Sequence, residues 1–159
     1  MTEIQNDSVV KHLRALDLPA ISEITPRIYL GSLEAAIDND LLFKLGITHI
    51  INAAKDAVYH SGSVAQIRLD LDDVPQENLF RVLEPSRMVI NRILLTDPDH
   101  KILVHCMAGV SRSASVVIYY LMKKRGWTYD QAFTEVVKKR HVINPNQGFV
   151  QTLRSTEGK

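Results

Sequence analysis

Lys101-Ile102-Leu103-Val104-His105-Cys106-Met107-Ala108-Gly109-Val110-Ser111-Arg112-Ser113 joins an apolar run of strand type to the start of a helix through a short turn containing a glycine. The helix reads on over 114–125 as an amphipathic segment and stops at Gly126, the residue type best suited to a left-handed helix end. Further out, Thr48-His49-Ile50-Ile51 is a second strand. Ile67, Leu69 and Leu71 alternate with Arg68, Asp70 and Asp72, the period-two pattern of a third strand with one buried face. The stretch 23–31, with Ile24, Ile28, Tyr29 and Leu30, is strand-like and ends at Gly31; Leu33, Ala36 and Ile37 then suggest a short helix, and 40–45 a second one closed by Gly46.

Pro85 suits the first turn of a helix carrying Met88, Val89, Ile90, Ile93 and Leu94, ended by Asp97-Pro98-Asp99-His100. Thr128 with Gln131 three positions later forms a capping box for another helix, and a last one starts near Asn146. Strands alternating with helices predict an α/β fold: a single domain with a central, mainly parallel sheet flanked by helices. In such sheets ligands gather at the carboxyl ends of the strands, which is where Cys106 follows its strand. Val9, Val10, Leu13 and Leu16 have helical spacing ahead of Pro19, so residues 1–22 are expected to be a partly helical N-terminal extension, 23–155 the domain proper and 156–159 a short tail.

The 159 residues are enough for one core without disulfides or a structural metal, and 45% hydrophobic with 23% charged residues excludes a mostly disordered or collagen-like chain. Nineteen basic against eighteen acidic side chains leave a net charge of +1, so no global field favours nucleic acid or an anionic membrane, and any anion must be recognised locally. The first residues lack the basic and apolar regions of a signal peptide, and no apolar run approaches the roughly 18 residues of a membrane span. A cytoplasmic address is expected, with the nucleus as the alternative, and a monomer. The six histidines show no metal-ligand spacing, so no metal and no cofactor is expected. One cysteine excludes an internal disulfide and leaves two readings for Cys106: inert core filling or a reactive group.

The surroundings of Cys106 decide between them. Successive N–H groups in a tight turn can converge on one oxyanion, and the helix that follows adds unpaired N–H groups and the positive end of its dipole. Met107, Ala108, Gly109, Val110, Ser111 and Arg112 would form such an anion cradle, with the Arg112 guanidinium binding two oxygens at once. The same donors should hold Cys106 as a thiolate, the nucleophilic form. His105 could fix the loop by bonding to backbone, though an ordinary buried histidine is as good a reading. Ser113 lies close enough to donate to the sulfur.

With five residues between Cys106 and Arg112, His-Cys-x5-Arg-Ser resembles the signature of the cysteine-dependent protein tyrosine phosphatase superfamily, and Ala108-Gly109 with Ser111-Arg112-Ser113 is similar to its dual-specificity branch. Tyr29-Leu30-Gly31, Gly46-Ile47-Thr48-His49-Ile50-Ile51-Asn52 and Asn144-Pro145-Asn146-Gln147-Gly148-Phe149 resemble further segments of that branch, so the likeness runs through most of the chain. It implies a phosphocysteine intermediate, no metal, and a general-acid aspartate on a loop about thirty residues before the cysteine. Asp70, Asp72 and Asp73 compete for that role. Asp73 is preferred because it continues the register of Leu69 and Leu71 and opens the loop Asp73-Val74-Pro75-Gln76; Asp72 is the alternative, and Asp70 reads as an exposed strand residue.

Lys123-Lys124-Arg125 and Lys138-Lys139-Arg140 fall near helix ends, where solvated cations favour exposed carbonyls; a second reading gives Arg140 contact with another anionic group of the substrate. Asn144 and Asn146 are expected to support the cradle through hydrogen bonds. None of the five variable loop residues is charged, which by analogy with the family argues for a phosphoprotein substrate over phosphoinositides or RNA 5′-triphosphates. The rival from another class is a catalytically silent module that binds phosphoproteins.

Overall fold

The computed structural model describes residues 3–159, so Met1 and Thr2 of the N-terminal extension lie outside the described residues. In chain order the elements are α1 (Glu3–Ala15), β1 (Ile21–Thr25), β2 (Ile28–Gly31), α2 (Leu33–Ala36), α3 (Asn39–Leu45), β3 (His49–Ala54), β4 (Ala65–Leu71), α4 (Phe80–Thr96), β5 (Ile102–His105), α5 (Arg112–Arg125), α6 (Tyr129–Lys139) and α7 (Gln147–Ser155). The sheet runs β1-β2-β5-β3-β4; β2, β5, β3 and β4 are mutually parallel, and only β1 is antiparallel to its neighbour. The sheet is therefore mixed, mainly parallel, with β5 at its centre.

Side chains of successive strand residues face opposite ways, and the two faces of this sheet have separate cores. Tyr29, Ile50 and Leu103 pack with Ala35, Ala36, Leu42 and Ile47 of the α2–α3 side. Ile28, Leu30, Ile51, Ile102 and Val104 pack with residues of α4, α5 and α7. A parallel strand covered on both faces is apolar throughout, which explains why 102–104 shows no alternation. The sequence of α5 is buried without a break from Arg112 to Met122, so the helix that follows the cradle lies in the interior and holds it rigidly.

Three local expectations are corrected. The 23–31 run is not one strand but a hairpin: Pro26 has no N–H to give a ladder, and the Thr25 hydroxyl accepts from the N–H groups of Arg27 and Ile28 at 3.3 and 3.1 Å, turning the chain. Pro85 lies inside α4 rather than in its first turn, because burial of Leu79, Val82 and Leu83 carries the helix start back to Phe80. The alternation of β4 does not persist to Asp73. Asp70 has a left-handed φ of 52° and the pairing with β3 shifts register there, so the strand ends at Leu71 and Asp73 is exposed.

The extension is more closely joined to the domain than its sequence suggests. Val10 and Leu13 of α1 are buried, Leu13 in the core beside Ile24, and β1 starts at Ile21.

Candidate active site

The loop from Cys106 to Arg112 connects the end of β5 to the first residue of α5. Every carbonyl from Cys106 to Ser111 has a partner outside the loop or on its flanks. Cys106 O meets His105 Nδ1 at 2.9 Å, Met107 O accepts from Leu33 N at 2.9 Å, and Val110 O accepts from Asn144 N at 2.7 Å. Ser111 O accepts from the N–H and hydroxyl of Ser115 at 2.9 and 2.8 Å. Ala108 O and Gly109 O accept from Arg140 Nη2 and Nε at 3.1 and 2.8 Å. In a trans peptide the N–H points opposite to the carbonyl, so carbonyls tied outward turn the N–H groups of 107–112 inward, as a ring of donors.

Gly109 makes the turn possible. Its φ is +69°, and a Cβ there would lie 2.6 Å from Gly31 O and 2.7 Å from Arg140 Nη2, closer than any side chain could tolerate.

Arg140 corrects the sequence reading. It caps the end of α6, yet it is neither a solvated cation nor open to a ligand: it is 1% exposed, and its third nitrogen, Nη1, donates to Ser22 Oγ at 3.1 Å. Its guanidinium has turned inward because it satisfies two loop carbonyls that burial would otherwise leave unpaired. The adjacent Lys138 and Lys139 do lie on the surface.

Cys106 begins the loop and is 3% exposed, with Sγ 3.0 Å from the hydroxyl of Ser113 in the first turn of α5. Arg112 is 6% exposed. Its Nη1 donates to Asp56 Oδ1 at 2.6 Å and to Leu71 O, at the end of β4, at 3.0 Å, whereas its buried Nε has no partner among the described residues. One side of the guanidinium is thus clamped, and the Nε edge, the one that makes side-on bidentate bonds, is left for a ligand. Asp56 follows β3, the sheet neighbour of β5. Sequence reading missed it because strand order decides which strand ends share the site, and the order β5-β3-β4 is not written in any local pattern.

His105 is fully buried between two partners, the Cys106 carbonyl and the Tyr59 hydroxyl, the latter 2.8 Å from Nε2. Since a carbonyl only accepts, Nδ1 carries the proton and the neutral Nε2 accepts from Tyr59. Burial is the main cause of a His105 pKa lowered from 6.5 to about 4, with the Cys106 carbonyl opposing it and Arg112 reinforcing it. Tyr59 is pushed up from 10, again mainly by burial, so its O–H stays a donor. His105 is thus a structural brace on the carbonyl side of Cys106.

A buried neutral histidine has a consequence for stability. Between pH 6.5 and about 4 the unfolded chain binds a proton at this residue that the folded one refuses, so stability should fall as pH drops through that window and level off below it. The loss is roughly 3 kcal/mol at most. Denaturant midpoints at several pH values would measure it, with His105→Asn flattening this limb; identical pH dependence in both proteins would refute the assignment.

The three candidate aspartates separate by their partners. Asp70 pairs with Arg68 at 2.7 Å, and Asp72 lies 3.7 Å from Lys55. Asp73 instead has its Oδ1 3.0 Å from Asn146 Nδ2, and the Asn146 N–H donates to Ser111 Oγ of the cradle at 2.9 Å. Asn144 and Asn146 both contact the loop through backbone N–H groups, where sequence reading expected support without specifying atoms. Among the described residues no group of three or more His, Cys, Asp or Glu side chains is placed to hold a metal ion, and no helix is long and apolar enough to cross a membrane.

A buried thiol at the start of a loop of inward amides, with a half-clamped guanidinium at the loop's other end, defines a cysteine-centred site for a tetrahedral oxyanion. Residues 28–159 match the family described as dual specificity phosphatase, catalytic domain. Serine/threonine/tyrosine-interacting protein B of Xenopus laevis is 39% identical over 145 residues, covering 86% of this chain and 64% of that protein. MAP kinase phosphatase with leucine-rich repeats protein 3 of Dictyostelium discoideum is 36% identical over 156 residues, covering 94% of this chain and 17% of that protein. The crystal structure of human DUSP28 superimposes with a TM-score of 0.81 at 32% identity, covering 87% of this chain and 93% of that one. This chain belongs to the dual specificity phosphatase family. It spans less than two thirds of the length of the curated relatives it matches.

Proposed function

We propose that the protein hydrolyses phosphotyrosine and phosphoserine or phosphothreonine monoesters in proteins through a phosphocysteine intermediate. The observation that carries this reading is the position of Cys106 Sγ, 3.0 Å from the Ser113 hydroxyl at the edge of a loop whose six carbonyls all point away from it. In the first step the Cys106 thiolate attacks phosphorus, the bond from phosphorus to the ester oxygen breaks, and that oxygen takes its electron pair and a proton from Asp73. In the second, water attacks phosphorus while the Asp73 carboxylate takes its proton; the S–P bond breaks and its electron pair returns to sulfur, which Ser113 stabilises by donating a hydrogen bond. The products are the free alcohol or phenol and inorganic phosphate. Arg112 and the amide ring neutralise the oxygens in both transition states.

A phosphoprotein is favoured over phosphoinositides and RNA 5′-triphosphates because Met107, Ala108, Gly109, Val110 and Ser111 add no charge beyond what a single phosphate needs. A cytoplasmic location is proposed with it. Asp73→Asn tests the acid. Turnover on a phosphoserine peptide, whose alkoxide leaves poorly, should drop roughly 10²–10⁴-fold, and on an activated aryl phosphate far less. An equal loss on both substrates would remove Asp73 from the role. A silent binding module, the rival reading, requires wild-type protein to turn over neither substrate.

A further inference from the structure

Asn146 ties together three elements that must keep register during the reaction. Its Oδ1 accepts from Phe149 N at 2.9 Å and caps α7, its backbone N–H donates to Ser111 Oγ of the cradle at 2.9 Å, and its Nδ2 donates to Asp73 Oδ1 at 3.0 Å. Because the side-chain oxygen is committed to the cap, the amide cannot flip, and its NH2 group is obliged to face Asp73. The same first turn of α7 adds a second constraint on the same loop. Gly148 lies so close to the acid loop that a Cβ would come within 2.0 Å of Pro75 O. The first turn of α7 therefore docks against the segment carrying Asp73 at both its ends, from Asn146 at residue 73 and from Gly148 at residue 75.

This arrangement answers a problem set by the sequence of β4. Asp73 lies beyond the last strand residue, on an exposed turn that β-sheet pairing no longer orients. An exposed aspartate on such a turn samples several rotamers, and proton transfer requires one. We propose that Asn146 is a positioning residue for the general acid: it orients the Asp73 carboxylate and transmits the position of the phosphate loop to it through Ser111. The inference rests on the reading of Asp73 as the acid. It gives the Asn146 side chain a role in the chemistry distinct from the backbone support it lends the cradle.

Asn146→Asp keeps a residue of equal capping ability and nearly equal shape but replaces the NH2 donor by an oxygen that repels Asp73. The variant should fold with an unchanged melting temperature within a few degrees. Its kcat on a phosphoserine peptide should fall roughly tenfold or more, the scale of one lost charge-assisted hydrogen bond, with a smaller loss on an activated aryl phosphate and little change in KM. Asn146→Ser, which also caps but is too short to reach Asp73, should show the same split. In an Asp73→Asn background neither substitution should widen the split further. If Asp73→Asn shows the split and the Asn146 variants lose activity equally on both substrates, or not at all, Asn146 does not position the acid. If Asp73→Asn itself shows no split, the acid reading fails first, and the inference falls with it.

Discussion

Cys106→Ser is expected to lower turnover on every phosphomonoester by roughly 10⁵–10⁶-fold, the scale seen when a covalent nucleophile is removed. The effect is large because, among the described residues, the hydroxyl replacing the thiol has no adjacent base: the side-chain partner of Cys106 Sγ there is the Ser113 hydroxyl, and His105 Nδ1 and Nε2 are committed to the Cys106 carbonyl and Tyr59. The substitution is otherwise mild. A serine fits the space of a 3% exposed cysteine, and all six outward carbonyl contacts of the loop come from other residues. The variant should therefore still bind inorganic phosphate or tungstate, which calorimetry would measure alongside steady-state kinetics. Activity within tenfold of wild type would place the nucleophile elsewhere.

Arg112→Lys is the second large effect, with kcat falling roughly 10²–10³-fold, as when a fixed donor to a developing oxyanion is lost. The buried guanidinium performs two tasks at once: Nη1 is bound by Asp56 and the Leu71 carbonyl, which frees the Nε edge for two phosphate oxygens. A lysine ammonium can satisfy the first set of acceptors or reach the phosphate, but it has no planar fork to do both. The loss should appear in kcat more than in KM, because the interaction strengthens as charge develops. A lysine variant within threefold of wild type would show that charge alone suffices and that the clamped geometry is irrelevant.

Much of this site was legible before the fold was known, for physical reasons that also explain the rest. Cys106, Gly109, Arg112 and Ser113 are close in sequence because one loop makes the cradle, so an anion site was readable from the loop itself and the phosphatase chemistry from the resemblance of its wording to a family signature. The capping box of Thr128 and the helix start near Asn146 are equally local and were found where they were expected, Asn146 proving to be the N-cap itself. The contributions of Asp56, Tyr59 and Arg140 were not legible. Each comes from a different segment, and its proximity to the loop depends on β3 lying beside β5 and on α6 ending over the cradle. Arg140 was misread for an instructive reason: a run of three cations at a helix end looks solvated, and only the burial of the last one inverts that meaning. Asp73 was selected for a strand register that the bulge at Asp70 abolishes, and what distinguishes it in the structure is its contact with Asn146.

The phosphocysteine itself is the most direct test. Wild-type protein mixed with a phosphopeptide, quenched in acid within the first turnover and digested, should yield one modified peptide, spanning Cys106 and carrying a single phosphoryl group on sulfur. With an activated aryl phosphate, whose leaving group needs no acid, Asp73→Asn should raise its yield, because formation is spared while attack by water on the intermediate is slowed. Phosphate on any other residue, or single-turnover hydrolysis with no phosphorylated peptide under conditions where Asp73→Asn accumulates none either, would contradict the mechanism.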